Sequence, residues 1–179
     1  LLMIFLLIAI AEAGLILERS MARELEQMAL HDQLTGLANR ALLREQLNTA
    51  IRRAERHQEI FAVLAINLDG FKLVNDQFGH SAERLKSGVR QEDLVARLSG
   101  DEFIVLTAEV GAADEVALMA SRLLGRMDQA TGTSGIAIQG SIGIALFPAD
   151  ARHADELLRH ADFALQHGKA SGRSCYHFY

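Results

Sequence analysis

The chain has 179 residues, 50% of them hydrophobic, and a formal net charge of −5. That length suits one domain with an appendage, and the negative balance argues against broad nucleic-acid binding through phosphate neutralisation. A single cysteine, Cys175, excludes an intrachain disulfide and fits a reducing compartment for the globular part.

Residues 1–17, LLMIFLLIAIAEAGLIL, are apolar apart from Glu12. As a helix the run would span roughly 25 Å, a little short of a bilayer core of about 30 Å. Glu12 is costly at a bilayer centre and tolerable near an interface. We read the run as the end of a transmembrane helix, with a buried helix as the alternative. A signal peptide is disfavoured by the absence of a basic flank and of a cleavage loop. This reading places the protein at an inner membrane with its globular part in the cytoplasm. Residues 18–30 continue as helix without a breaker, and Met21, Leu25 and Met28 fall at spacings of four and three. Such a short coiled-coil-like seam suits a connector that pairs two protomers; packing on the chain's own domain explains it equally.

Residues 31–40, HDQLTGLANR, form a loop rich in turn and cap formers. Residues 42–56 read as an amphipathic helix, with Leu43, Leu47 and Ile51 on one face. The run FAVLAINL at 61–68 reads as a buried central strand, and ligand groups collect where such strands end. Asp69, Gly70, Phe71, Lys72, Asn75 and Asp76 follow it. A short helical piece is expected at 83–86, a second amphipathic helix at 112–127 and a strand at 135–144. A final helix at 154–168 is closed by Lys169 and Arg173, and the aromatic tail 175–179 suits an edge strand.

Between these elements lies RQEDLVARLSGDEFIVL at 90–106. Two apolar runs flank Ser99 and Gly100, where a hairpin needs small residues and a permissive backbone. Asp101 and Glu102 follow at once. Adjacent carboxylates at a strand junction face water or a cation, so the turn is a place for a divalent metal carrying a triphosphate. Taken alone, Ser-Gly-Asp-Glu is also an ordinary solvated turn.

The segments DQLTGLANR (32–40), LDGFKLVNDQFGH (68–80), RQEDLVARLSGDEF (90–103), SIGIALFP (141–148) and ADFALQHGKASGR (161–173) stand in the order of the GGDEF domains, the diguanylate cyclase family, which residues 31–179 resemble. The resemblance implies an α+β fold like adenylyl cyclase and polymerase palm domains: a central, mainly antiparallel sheet flanked by helices, here with an N-terminal helical extension. It also implies two domains face to face, each holding one GTP, that condense to cyclic di-GMP with Mg²⁺ or Mn²⁺. By resemblance Asp101 is a metal ligand, and Glu102 holds metal or helps deprotonate the attacking hydroxyl. Lys169 and Arg173 neutralise phosphates, Asn75 bonds guanine, and the backbone at Ser99 and Gly100 lies against the nucleotide. Arg90 and Asp93 match the family's inhibitory product site, where an Arg can fork onto phosphate or guanine. The implied partners are thus GTP, cyclic di-GMP, a second copy and, through the N-terminal run, a membrane.

The chain departs from the pattern in three places. Ser99 replaces the first glycine of the motif. Asn67 stands where the family has its first metal-binding aspartate, which keeps an oxygen and loses a charge. After Ala82, about nine residues are absent, roughly two and a half helical turns, including the aspartate that recognises guanine. They are either deleted from the protein or omitted from the sequence. Two functions follow as expectations: a cyclic di-GMP-forming enzyme, or a degenerate module that binds GTP or cyclic di-GMP and regulates a partner or a following EAL-type phosphodiesterase domain.

Overall fold

The computed structural model describes residues 2–68, 77–128, 139–171 and 174–179. Its centre is β1 (Phe61–Leu68), apolar everywhere but at Asn67 because both its faces are covered. β1 pairs antiparallel with β3 (Glu102–Leu106) on one side and with β4 (Gly140–Phe147) on the other. β2 (Leu94–Ser99) lies outside β3, and β5 (Tyr176–Phe178) lies outside β4, giving the order β2-β3-β1-β4-β5. Among the strand pairs of the described residues, only β4–β5 is parallel. The expected α+β fold with a mainly antiparallel sheet is what forms.

Alternation along the strands sends successive side chains to opposite faces. Leu64, Ile66 and Val105 join the core beneath α3 (Gln77–Gly88) and α4 (Ala113–Asp128). Val63, Ala65 and Ala145 join a second core beneath α2 (Arg40–His57) and α5 (Ala154–Ser171). Each large aliphatic side chain buried in these cores contributes about 2 kcal/mol. On the second face α5 lies directly on β4. A Cβ at Gly143 would stand 2.1 Å from the Ala161 carbonyl oxygen and 2.2 Å from Leu165 N, so only glycine permits that approach.

Three boundaries differ from the sequence reading. The helix expected at 83–86 is α3, continuous from Gln77 through the Ala82–Glu83 junction to Gly88. No breaker interrupts it there, and Ala82 and Leu85 are both buried in the α4-side core. Of the strand expected at 135–144, residues 135–138 lie outside the described residues, and β4 runs from Gly140 past Ile144 to Phe147, because its ladder matches β1 residue for residue, from Gly140 opposite Leu68 to Phe147 opposite Phe61. The last helix extends to Ser171 and so carries Lys169 within it.

α1 (Leu2–Leu30) is one continuous helix. Asn39 ties its end to the domain: its Nδ2 donates to the Ala29 carbonyl at 2.7 Å, while its Oδ1 caps α2 by accepting from the N–H groups of Ala41 and Leu42. Met21, Leu25 and Met28 are 55–66% exposed, so the seam does not pack on its own domain. Among the described residues no helix is long and apolar enough to cross a membrane; many side chains of the apolar run 1–17 lie outside them.

Candidate functional site

The hairpin turn between β2 and β3 is held from below. Gly100 has φ +39, a left-handed conformation that glycine adopts freely. Its carbonyl accepts from Arg97 Nε and Nη2 at 3.0 and 2.9 Å. Arg97, 7% exposed, also donates through Nη1 to Asp32 Oδ1 at 3.0 Å. The same Asp32 oxygen accepts from Thr35 N and Oγ1. Burial pushes the Asp32 carboxyl upward, but the Thr35 and Arg97 hydrogen bonds and the Arg97 charge more than offset it and hold it below the usual carboxylate range. The loop that ends α1 is thereby fastened to the turn that carries Asp101 and Glu102. The Asp101 carbonyl accepts from Leu68 N at 3.1 Å, which closes the turn onto the end of β1.

Register then assembles a cleft. Asn67 faces Glu102 on one side and Ser141 on the other, so all three side chains emerge on the α2/α5 face. Lys169, in the last turn of α5, donates from Nζ to Asn67 Oδ1 at 2.6 Å. Ser99 Oγ donates to Glu102 Oε2 at 2.9 Å. A cavity of about 270 Å³ opens here, lined by Asn67, Glu102, Arg40, Asp162 and Gln166 above an apolar floor. The Ser141 hydroxyl, fully buried, has no hydrogen-bond partner among the described residues.

Of the residues expected in the site, Asn67, Ser99, Gly100, Asp101, Glu102 and Lys169 converge at one end of the sheet. Asn75 and Arg173, like Asp69, lie outside the described residues. The divalent cation used by diguanylate cyclases of this kind does not fit the Asn67 position. The one oxygen Asn67 offers is engaged by an ammonium, and a cation on that oxygen would meet that positive charge at close range. Among the described residues no three acidic, His or Cys side chains gather as a metal-holding group.

Arg90 and Asp93 sit elsewhere, at the turn before β2, beside a second cavity of about 300 Å³ that His31 and Lys86 also line. Asp93 accepts from Arg90 N and from Ala108 N, both at 2.8 Å, one with each carboxylate oxygen. Arg90 Nη2 lies 3.3 Å from Glu115 Oε2 on α4.

The sequence reading missed Asp32, Arg97, Arg40, Asp162 and Ser141. Arg97 carried a readable signal: a guanidinium alternating inward within an apolar strand needs a partner. The others had none, since only the fold brings them to the turn or the cleft.

The sequence profile described as "Diguanylate cyclase, GGDEF domain" matches residues 29–175. The chain is 45% identical over 168 residues to the bifunctional diguanylate cyclase/cyclic di-GMP phosphodiesterase MucR of Pseudomonas aeruginosa; the match takes in 88% of this chain and 24% of MucR. This chain therefore spans about a quarter of that relative's length. Among solved structures it is similar to the GGDEF domain of TpbB (YfiN) from P. aeruginosa, with a TM-score of 0.76 at 36% identity over 83% of this chain and 93% of that one. It is also similar to the GGDEF domain of DgcB from Caulobacter crescentus, solved in complex with c-di-GMP, with a TM-score of 0.70 at 26% identity over 84% and 93% of the two chains. With the five motifs, the mainly antiparallel five-stranded sheet and the turn at 99–102 in agreement, the chain belongs to the GGDEF domain family of diguanylate cyclases.

Proposed function

We propose that this domain binds GTP in the Asn67–Glu102–Lys169 cleft and, as a dimer, condenses two GTP into cyclic di-GMP at a low rate. The observation that carries the reading is the convergence of Glu102, Asn67 and Lys169 at the end of the central strands. In this reading the 3′-hydroxyl of each GTP attacks the α-phosphate of the other and pyrophosphate leaves. Lys169 meets phosphate charge. Glu102, oriented by Ser99, is the carboxylate nearest the role of proton acceptor. Mg²⁺ or Mn²⁺ bound to the nucleotide would supply further neutralisation of phosphate charge. Dimerisation is supported by the exposed Met21, Leu25 and Met28. Anchoring at an inner membrane through residues 1–17, with the domain cytoplasmic, is supported by the composition of that run.

The test is cyclic di-GMP formation from GTP with Mg²⁺ or Mn²⁺. The chain is expected to turn over slowly, Asn67→Asp faster, and Asp101→Ala not at all. Robust activity in the unaltered chain would show that the neutral amide is tolerated. Silence in both the chain and Asn67→Asp would favour a second reading, a regulatory module that binds GTP or cyclic di-GMP without turnover. The Lys169–Asn67 hydrogen bond is the observation on that side.

A further inference from the structure

The two substitutions in the family's pattern meet in one cleft, and each has acquired a contact. Asn67 has Lys169 on its oxygen at 2.6 Å, and Ser99 has its hydroxyl on Glu102 at 2.9 Å. An ammonium against a carboxylate is neutralised. Against an amide it meets only a dipole and keeps its full charge. Lys169 is half-buried in the last turn of α5, where the helix's terminal carbonyls favour a cation. Its reach is fixed from behind, because Gly143 lets α5 rest directly on β4. An ammonium carries three donors, and Asn67 takes one.

We propose that Lys169 is the resident cation of this cleft: seated on Asn67, its ammonium receives a nucleotide's phosphate where relatives would place a divalent ion, so nucleotide binding here does not require metal. The proposal rests on the nucleotide-binding reading above and adds the source of positive charge. It makes Asn67 a specificity-determining residue, since the amide selects an ammonium over a hard dication.

The experiment is calorimetric binding of GTP to the whole chain, in Mg²⁺ and in excess EDTA, for four proteins. In the unaltered chain the Kd should change by less than about threefold between the two conditions, whereas Asn67→Asp should bind about tenfold more tightly with Mg²⁺ than without. In EDTA, Lys169→Met should bind at least about tenfold more weakly than the unaltered chain, and Lys169→Arg should stay within about threefold of it. Thermal melting confirms that each variant is folded; if Lys169→Met is not, the unaltered chain against Asn67→Asp decides. Equal metal dependence in those two, or undiminished EDTA binding by folded Lys169→Met, overturns the proposal and leaves the nucleotide site standing. No GTP binding by the unaltered chain in either condition overturns the nucleotide reading and this proposal with it.

Discussion

At the cleft, Lys169 meets a neutral amide and keeps its charge for a ligand; at the turn before β2, Arg90 meets the Glu115 carboxylate and Asp93 spends both oxygens on main-chain N–H groups. Both places carry the residue types that recognise a guanine nucleotide. They differ in what the fold has already done with them. The cleft is built on strands whose register is set by two buried cores, and its cation has one described partner of no charge. The Arg90 turn is built from capping interactions, so Asp93 has a structural role whether or not a ligand comes. A binding motif read in sequence therefore states chemistry, and the contacts in the folded chain state how much of that chemistry is free.

The comparison breaks most severely if the cleft loses its frame. Gly143→Ala places a methyl 2.1 Å from the Ala161 oxygen. We expect a loss of about 3 kcal/mol in chemical denaturation, with GTP binding lost as α5 and Lys169 shift away. A variant as stable as the parent would mean that α5 is not held by that contact.

Next in size is the clamp that joins the loop after α1 to the turn. Asp32→Asn replaces the anionic partner of buried Arg97 by a neutral amide, and should cost about 2 kcal/mol at pH 7, less than a fully buried pair because the Asp32 side chain is 26% exposed. The sign with pH follows from the depressed carboxyl. The contribution of Asp32 is fully present above its unfolded value near 3.9 and is lost as pH falls through its lower folded value. The stability gap between the parent and Asp32→Asn should therefore close below about pH 4, which pH-dependent urea melts would read. A gap that persists to lower pH would remove the ion pair as its cause.

At the Arg90 turn, Asp93→Ala should cost about 1 kcal/mol, since the N–H groups of Arg90 and Ala108 lose their acceptor. Arg90→Ala should change stability by less than that while abolishing any cyclic di-GMP binding seen by calorimetry. Equal effects of both changes on stability would erase the contrast between scaffold and ligand group.

The smallest expected effect is at Glu115. Its pairing with Arg90 is solvent-exposed, with both side chains nearly half exposed, so Glu115→Gln should alter stability by less than about 0.5 kcal/mol. It should nevertheless tighten cyclic di-GMP binding by about twofold to threefold, by releasing Arg90 from a competing carboxylate. Weaker binding in that variant would assign Glu115 to the ligand instead.

The sequence by itself determined the family, the central strand and the hairpin. Those rest on local signals: a continuous apolar run for a strand covered on both faces, small residues at a turn, and motifs in a fixed order. It also showed that Asn67 and Ser99 depart from the pattern, but not what either touches. The tertiary structure decided that. Asn67 and Lys169 are 102 positions apart and meet only because β1, β4 and α5 pack in one register around Gly143. The β4 boundaries were likewise illegible, because a strand's length is set by the ladder its partner offers rather than by its own residues. Hydrophobic pattern is a property of neighbours in sequence, whereas the charge state of a site is a property of neighbours in space.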